Sequence, residues 1–315
     1  YDKLLVATGS KPFVPPMKDI DKVEDKFTFM TWDSAKAIRE KVTAGTKVLI
    51  IGAGLIGLKC AEALHHLNAD ITVVDLADRI LPSILDVRAG EIMQKHIEDK
   101  GTKFILGTSV EQFSKNSAKL TNGETVDFDI LVIAVGVRPN TELVSDAGGK
   151  VEKGIITDLH QQTTIDNVYA AGDCTVSHDC SSNTDRILAL LPNAFMQGEV
   201  AGKNMAGEET LYLNAIPMNA IGFYGLHIIT AGSYDGDEDI TEDADKEIYK
   251  KLVFKDGLLK GFILMGDVAR AGIYTSMIKE QIPLTEVDLD LLRDKPQMMM
   301  FGKARREEKL AGKKH

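Results

Sequence analysis

Residues 48 to 57 read VLIIGAGLIG, and Asp75 closes a second apolar run, Ile71-Thr72-Val73-Val74. The short continuous run Val48–Ile51 is what a strand buried on both faces of a parallel sheet requires. Gly52, Gly54 and Gly57 then supply G-x-G-x-x-G. The first glycine permits a tight turn, the second lets the backbone approach a pyrophosphate, and the third lets helix and strand pack closely. Leu58, Ala61, Ala63, Leu64 and Leu67 recur at helical spacing, so the loop opens a helix whose N-terminus faces an anion. Asp75 lies 23 residues after Gly52, close to the spacing at which a carboxylate reaches a ribose 2′-hydroxyl. Strand, turn, helix, strand and acid together predict one ADP-binding βαβ unit. A free 2′-hydroxyl can donate to Asp75, whereas a 2′-phosphate meets its charge, so the pattern reads as NADH over NADPH. Arg79 and Lys103 are the nearby cations that could still accommodate a phosphate.

At 315 residues the chain exceeds the size at which one core keeps growing, so two or three domains are expected. No apolar run approaches the length of a membrane span; Ile130–Val137 is the longest clear one. Three cysteines do not make a disulfide framework and fit a reducing compartment, so a cytoplasmic location is expected. A formal charge of −10 argues against nucleic acid as the main partner.

Leu4–Ala7 reads as a strand ending in the turn Thr8-Gly9-Ser10, and Pro12, Pro15 and Pro16 make an extended connector. Thr31-Trp32-Asp33-Ser34 carries helix-start residues before Ala35–Val42. After Asp75, Leu85–Lys100 reads as a helix and Lys103–Leu106 as a strand. Val110–Phe113, Ala118–Thr121 and Glu124–Phe128 alternate, with Asn122-Gly123 as a hairpin turn. Ile130–Val135 is the closing parallel strand. Further on, Val168–Ala171 runs into Gly172-Asp173, and Pro192–Ala206 reads as a helix with small residues along one face. From about Leu211 the pattern changes to strands, including Gly222–Thr230, Ile248–Phe254 and Leu258–Met265, followed by a helix over Gly266–Ile282. Ala304–His315 reads as a solvated helix or frayed tail.

Four separated motifs, YDKLLVATGS (1–10), the Gly52–Gly57 loop with Asp75, AVGVRPN (134–140) and NVYAAGDC (167–174), stand in the order and spacing of a known family. The chain resembles the FAD-dependent pyridine nucleotide-disulfide oxidoreductases, in their NADH oxidase, rubredoxin reductase and nitrite reductase flavin-domain branches. The resemblance implies an α/β fold with two Rossmann-like dinucleotide-binding domains, the FAD domain incomplete, plus a C-terminal α+β domain. The segments expected are 1–40 and 141–212 for the FAD domain, 41–140 for the inserted NAD domain, and 213–315 for an interface domain. The family begins with an N-terminal βαβ FAD unit ahead of the ATG strand, so the chain is expected to be part of a longer polypeptide.

By position, the resemblance implies FAD contacts at Thr8, Gly9, Gly172 and Asp173, the last accepting a hydrogen bond from the ribityl chain. The amides at the Pro192 end of its helix would face the flavin pyrimidine edge, where reduced flavin is anionic. Gly52, Gly54, Leu55, Ile56, Gly57, Asp75 and Gly136 would border NAD, with Leu55 covering the nicotinamide pocket. Lys59 stands where many disulfide reductases carry Glu, which favours the nitrite- and rubredoxin-reductase branches. The implied activity passes electrons from NADH through FAD to an acceptor: oxygen, a rubredoxin- or ferredoxin-type protein, or a nitrite-reductase centre. A homodimer is also implied. The alternatives are a one-cofactor NAD dehydrogenase and an NAD-binding module or subunit of an electron-transfer assembly without activity of its own.

No side chain is nominated as an acid–base catalyst, since the cofactors carry the chemistry. Cys174, His178 and Cys180 lack a fourth ligand at a recognised spacing, and no metal is expected. Met298-Met299-Met300-Phe301 reads as core or dimer packing.

Overall fold

A computed structural model describes residues 1–311. Packing divides the chain into two compact units, one of residues 1–9, 139–221 and 227–315, the other of residues 10–138 and 222–226. Residues 10–40 thus group with the 41–140 segment.

The inserted unit is built on a five-stranded sheet. Its order is Lys26–Thr28, Ile130–Ile133, Lys47–Ile51, Asp70–Asp75, Lys103–Leu106, every neighbour parallel. The two central runs are apolar because both faces are covered; Ile130–Ile133 is buried throughout and Lys47–Ile51 after its first residue. Helices Trp32–Lys41, Leu55–His65 and Val87–Glu98 connect the strands. The first begins at Thr31, whose Oγ1 accepts from the Ser34 amide while Ser34 Oγ accepts from the Thr31 amide, a reciprocal cap. The antiparallel meander Val110–Phe113, Ser117–Leu120, Thr125–Asp127 follows the expected hairpin at Asn122-Gly123. Phe113 and Phe128 meet edge to face at 6.2 Å in the core it shares with Leu49, Val74 and Leu131. Cys60 is buried on helix Leu55–His65, where burial pushes its thiol up to about 12. At about pH 8 Cys60 should therefore resist iodoacetamide in the native chain and react in denaturant. Fast native alkylation at Cys60, read by peptide mass, would contradict the packing.

In the other unit, Leu4–Val6 pairs in parallel with Val168–Ala170. Ile155–Ile156, Thr175–Asp179 and Thr184–Arg186 form a small mixed sheet. Helix Leu191–Met205 follows. A five-stranded sheet then orders Met218–Phe223, Leu226–Gly232, Leu258–Met265, Ile248–Lys255 and Asp237–Asp243. Helix Ala271–Lys279 covers it, with Phe262, Tyr274 and Met277 in the core.

Two expectations need correction, and one strand was not foreseen. Gly222–Thr230 is two strands, broken where Tyr224 and Gly225 both take positive φ (50° and 91°). A tyrosine at a two-residue turn is not a usual hairpin signal. It is held by its amide donating to Glu62 (2.6 Å), while Lys59 donates to the Gly222 carbonyl (2.6 Å). The helix over Gly266–Ile282 shrinks to Ala271–Lys279, because Gly266 and Arg270 both adopt positive φ ahead of it. The acidic strand Asp237–Asp243, almost wholly exposed at the sheet edge, carried no apolar alternation to reveal it. Met300 and Phe301 are buried in the C-terminal core whereas Met299 is exposed. The tail reads as helix Lys303–Ala311; residues 312–315, including His315, lie outside the described residues.

Candidate functional site

The glycine-rich turn leaves strand Lys47–Ile51 at Gly52, whose amide donates to the Val74 carbonyl at 2.8 Å. Gly52 adopts φ 113°, and a Cβ there would press on the Ala134 carbonyl, 2.8 Å from its carbon. Gly57 lets its helix sit against the turn; a Cβ there would fall on the Gly52 carbonyl, 3.1 Å from its carbon. Gly54 is different. Nothing lies within 4 Å of where its Cβ would stand, so the space above it is open. Helix Leu55–His65 starts immediately after, with Gly54 as its N-cap and no side chain capping its first amides. Leu55 and Ile56 are partly exposed in that first turn, while Gly57 is buried. The residues fit a pyrophosphate: an open approach to the backbone, donors without side-chain partners and the positive end of the helix dipole.

Asp75 takes on more than the expected ribose contact. Its Oδ2 accepts the Ala53 amide at 2.6 Å and its Oδ1 the Ala77 amide at 2.7 Å. The carboxylate therefore staples the glycine turn to the loop after its own strand. About four lone-pair sites per carboxylate leave room for a ribose hydroxyl as well. Lys103, weighed above as a phosphate partner, pairs instead with Asp70 at 3.0 Å. That pair sits at the opposite end of the strand from Asp75, about 17 Å away at some 3.3 Å per residue. Arg79 stays on the loop near Asp75, its Nη1 3.2 Å from Asp78 and its buried Nε without a partner. Gly136 ends the neighbouring crossing with its carbonyl accepting the Phe13 amide at 2.9 Å.

In the other unit, Thr8 Oγ1 donates to the Asn140 carbonyl at 2.6 Å, Asn140 Nδ2 to the Thr8 carbonyl at 2.9 Å, and the Asn140 amide to the Gly9 carbonyl at 2.9 Å. Thr8 and Gly9 are thereby stitched to the strand that returns at residue 139. The paired strands Leu4–Val6 and Val168–Ala170 deliver Gly172-Asp173, Asp173 half-buried. One residue the motifs did not reveal organises this corner. Buried Gln197 accepts the Gly172 amide at 2.7 Å and donates to Thr175 Oγ1 at 2.9 Å and to Ser177 Oγ. Its spacing from Pro192 was legible, but only the packing of its helix aims it at Gly172. Gln197→Leu leaves that buried amide unpaired and should cost about 1–3 kcal/mol, read as a lower Tm with reduced flavin retention.

Helix Leu191–Met205 carries Pro192 in its first turn and has no side-chain cap. Leu191 and Phe195 flank that end, 84% and 73% exposed. An uncapped helix start beside apolar side chains suits a flat aromatic ring that gains negative charge on reduction. Of the three residues weighed for metal, Cys174 donates to the Ala171 carbonyl at 3.3 Å, His178 pairs with Asp185 at 2.9 Å, and Cys180 joins the C-terminal core.

Residues 1–198 match the pyridine nucleotide-disulphide oxidoreductase family, more than half of the chain. The chain belongs to that family. Residues 217–282 match the rubredoxin NAD+ reductase C-terminal domain. Over 296 residues the chain is 33% identical to the NADH-dependent phenylglyoxylate dehydrogenase subunit epsilon of Aromatoleum evansii, covering 90% of this chain and 70% of the relative. Over 220 residues it is 38% identical to an NADH oxidase of Methanocaldococcus jannaschii, covering 67% and 48%. The water-forming NADH oxidase from Lactobacillus brevis bound to NADH superimposes with a TM-score of 0.83 at 25% identity, covering 91% of this chain and 69% of that one. The chain spans only 36–54% of six further curated relatives, among them an assimilatory nitrate reductase electron transfer subunit of Bacillus subtilis. Among the described residues no helix is long and apolar enough to cross a membrane.

Proposed function

We propose that this chain is the dinucleotide-handling part of an NADH-dependent FAD oxidoreductase that passes electrons to a separate acceptor. The observation that carries the reading is the uncapped start of helix Leu55–His65, above an open Gly54 and beside Asp75. When bound, NADH supplies a hydride and FAD accepts it and relays the electrons. The amides at Gly54, Leu55 and Ile56 hold the nucleotide pyrophosphate, and Asp75 holds the turn and accepts from the ribose. Leu55 covers the nicotinamide end, and Gly136 leaves the neighbouring crossing free of a side chain. Thr8, Gly9 and Gly172 keep the backbone close to the flavin, Asp173 accepts from its ribityl chain, and the helix start at Leu191-Pro192 faces its pyrimidine edge.

The match of residues 217–282 to a rubredoxin reductase domain favours a small redox protein as acceptor; oxygen and a nitrite-reductase centre are the rival acceptors. A cytoplasmic homodimer is the assembly this reading implies. Anaerobic stopped-flow mixing of the full-length flavoprotein with NADH should bleach the flavin band. Absence of bleaching would sink the proposal.

A second reading, a subunit without independent turnover, is favoured by two relatives that are themselves named as subunits, one of them an electron transfer subunit. It predicts tight NADH binding with no reduction of any acceptor dye by the isolated protein.

A further inference from the structure

A cavity of about 570 Å³ opens at the C-terminal end of helix Ala271–Lys279, lined there by Lys279, Cys180, Asn183, Leu213 and Asn214. It lies wholly within the unit that contains Gly172, and none of these residues belongs to the nucleotide sites proposed above. Its volume falls in the usual range of small-molecule pockets.

Lys279 sets this cavity apart from an ordinary surface hollow. The residue is half-buried, and burial pulls its ammonium below the usual lysine range. Its Nζ still keeps surface open to solvent. Among the described residues no carboxylate, carbonyl or hydroxyl accepts from it. A charge drawn out of water is costly unless it is paired. The last turn of a helix favours a positive charge, but here it offers the ammonium no acceptor.

The neighbouring acids are engaged elsewhere. Glu280 holds Lys309 at 2.9 Å, Glu286 holds Arg305 at 2.8 Å, and Asp185 holds His178 at 2.9 Å. Buried Asp179 accepts from Ser181 at 2.6 Å and from Ser182 at 2.9 Å. Lys260, also without an acid among the described residues, acts together with Lys279 on the Cys180 thiol. That thiol is pushed up by burial and stays neutral, so the positive field is left uncompensated.

Asn183 and Asn214 add exposed side-chain amides that no described residue engages. Gln281 stands at φ 48° two residues past the helix, where glycine usually ends one. This costly conformation brings a third amide to the cavity. Leu213, 53% exposed, and the Cys180 sulfur supply apolar wall.

An unpaired ammonium, free amides and an apolar wall describe one class of ligand. We propose that this cavity binds a small organic carboxylate, with an oxygen on Lys279 Nζ and its apolar part against Leu213. Such an occupant is additional to the nucleotides, so failure of this proposal leaves the electron-transfer reading standing.

The test titrates benzoate and 2-naphthoate calorimetrically into the full-length protein, with 2-naphthamide as the neutral control. Wild type should give a saturable one-site isotherm for at least one carboxylate and none for the amide. Lys279→Gln, which removes the charge, should weaken binding at least about tenfold. Leu213→Glu, which sets a like charge on the wall, should weaken it as much. Neither side chain is in the core, so both variants should keep the wild-type Tm and the same NADH-driven flavin reduction. No saturable isotherm for either carboxylate, equal binding of the amide, or unchanged affinity in either variant overturns the proposal.

Discussion

Gly52→Ala should abolish NADH-driven electron transfer and destabilise the inserted unit together. The new Cβ would sit against the Ala134 carbonyl, 2.8 Å from its carbon, at a φ of 113°. That conformation is essentially confined to glycine. Overpacking against a rigid strand end costs about 1–3 kcal/mol, and the backbone strain adds about 1–3 kcal/mol more. A Tm drop of about 5–15 °C follows, with kcat/KM for NADH falling at least about 100-fold. Gly54→Ala is the control that separates fold from ligand. Its Cβ enters open space, so the Tm should hold while the methyl occupies the approach of the pyrophosphate and NADH affinity falls. Equal loss of Tm in both variants, or unchanged NADH kinetics in Gly54→Ala, would remove the nucleotide from this turn.

Asp75→Ala should be the next most damaging change, for two separable reasons. It deletes the acceptors for Ala53 and Ala77 at 2.6 and 2.7 Å. Bonds of this charge-assisted kind contribute about 1.5–3 kcal/mol each when buried. Partial exposure reduces the pair to about 2 kcal/mol in total, a Tm loss of several degrees. The same change removes the charge that opposes a 2′-phosphate, so the KM for NADH should rise about tenfold or more while that for NADPH rises less. Asp75→Asn can still accept one of the two amides and should fall between. If both nucleotides weaken in parallel, Asp75 serves the turn alone and has no part in choosing between them.

Much of the inserted unit was legible in the residues because its signals are local. Buried parallel strands write themselves as continuous apolar runs, and Val48–Ile51 and Ile130–Ile133 were found within two residues of their ends. Asn122-Gly123 announced its hairpin for the same reason: Gly123, at φ 93°, lies in the short loop that makes the turn. The Tyr224-Gly225 hairpin escaped because its conformation is imposed by Glu62, a residue 162 positions away. The edge strand Asp237–Asp243 escaped because its pairing comes from backbone bonds to Ile248–Lys255 and not from its own side chains.

The candidate sites divide in the same way. The run from Val48 to Asp75 by itself determined a strand, a glycine turn, a helix start and an acid at ribose distance, since each depends on residues a few positions apart. Tertiary structure alone decided what those residues do with their bonds. It gave one oxygen of Asp75 to the glycine turn and the other to the loop after its own strand, sent Lys103 to the far end of the sheet with Asp70, and aimed Gln197 at Gly172. Hydrogen-bond partners are set by which strand ends and helix faces pack together, and that is a property of the folded chain that no short stretch of sequence carries.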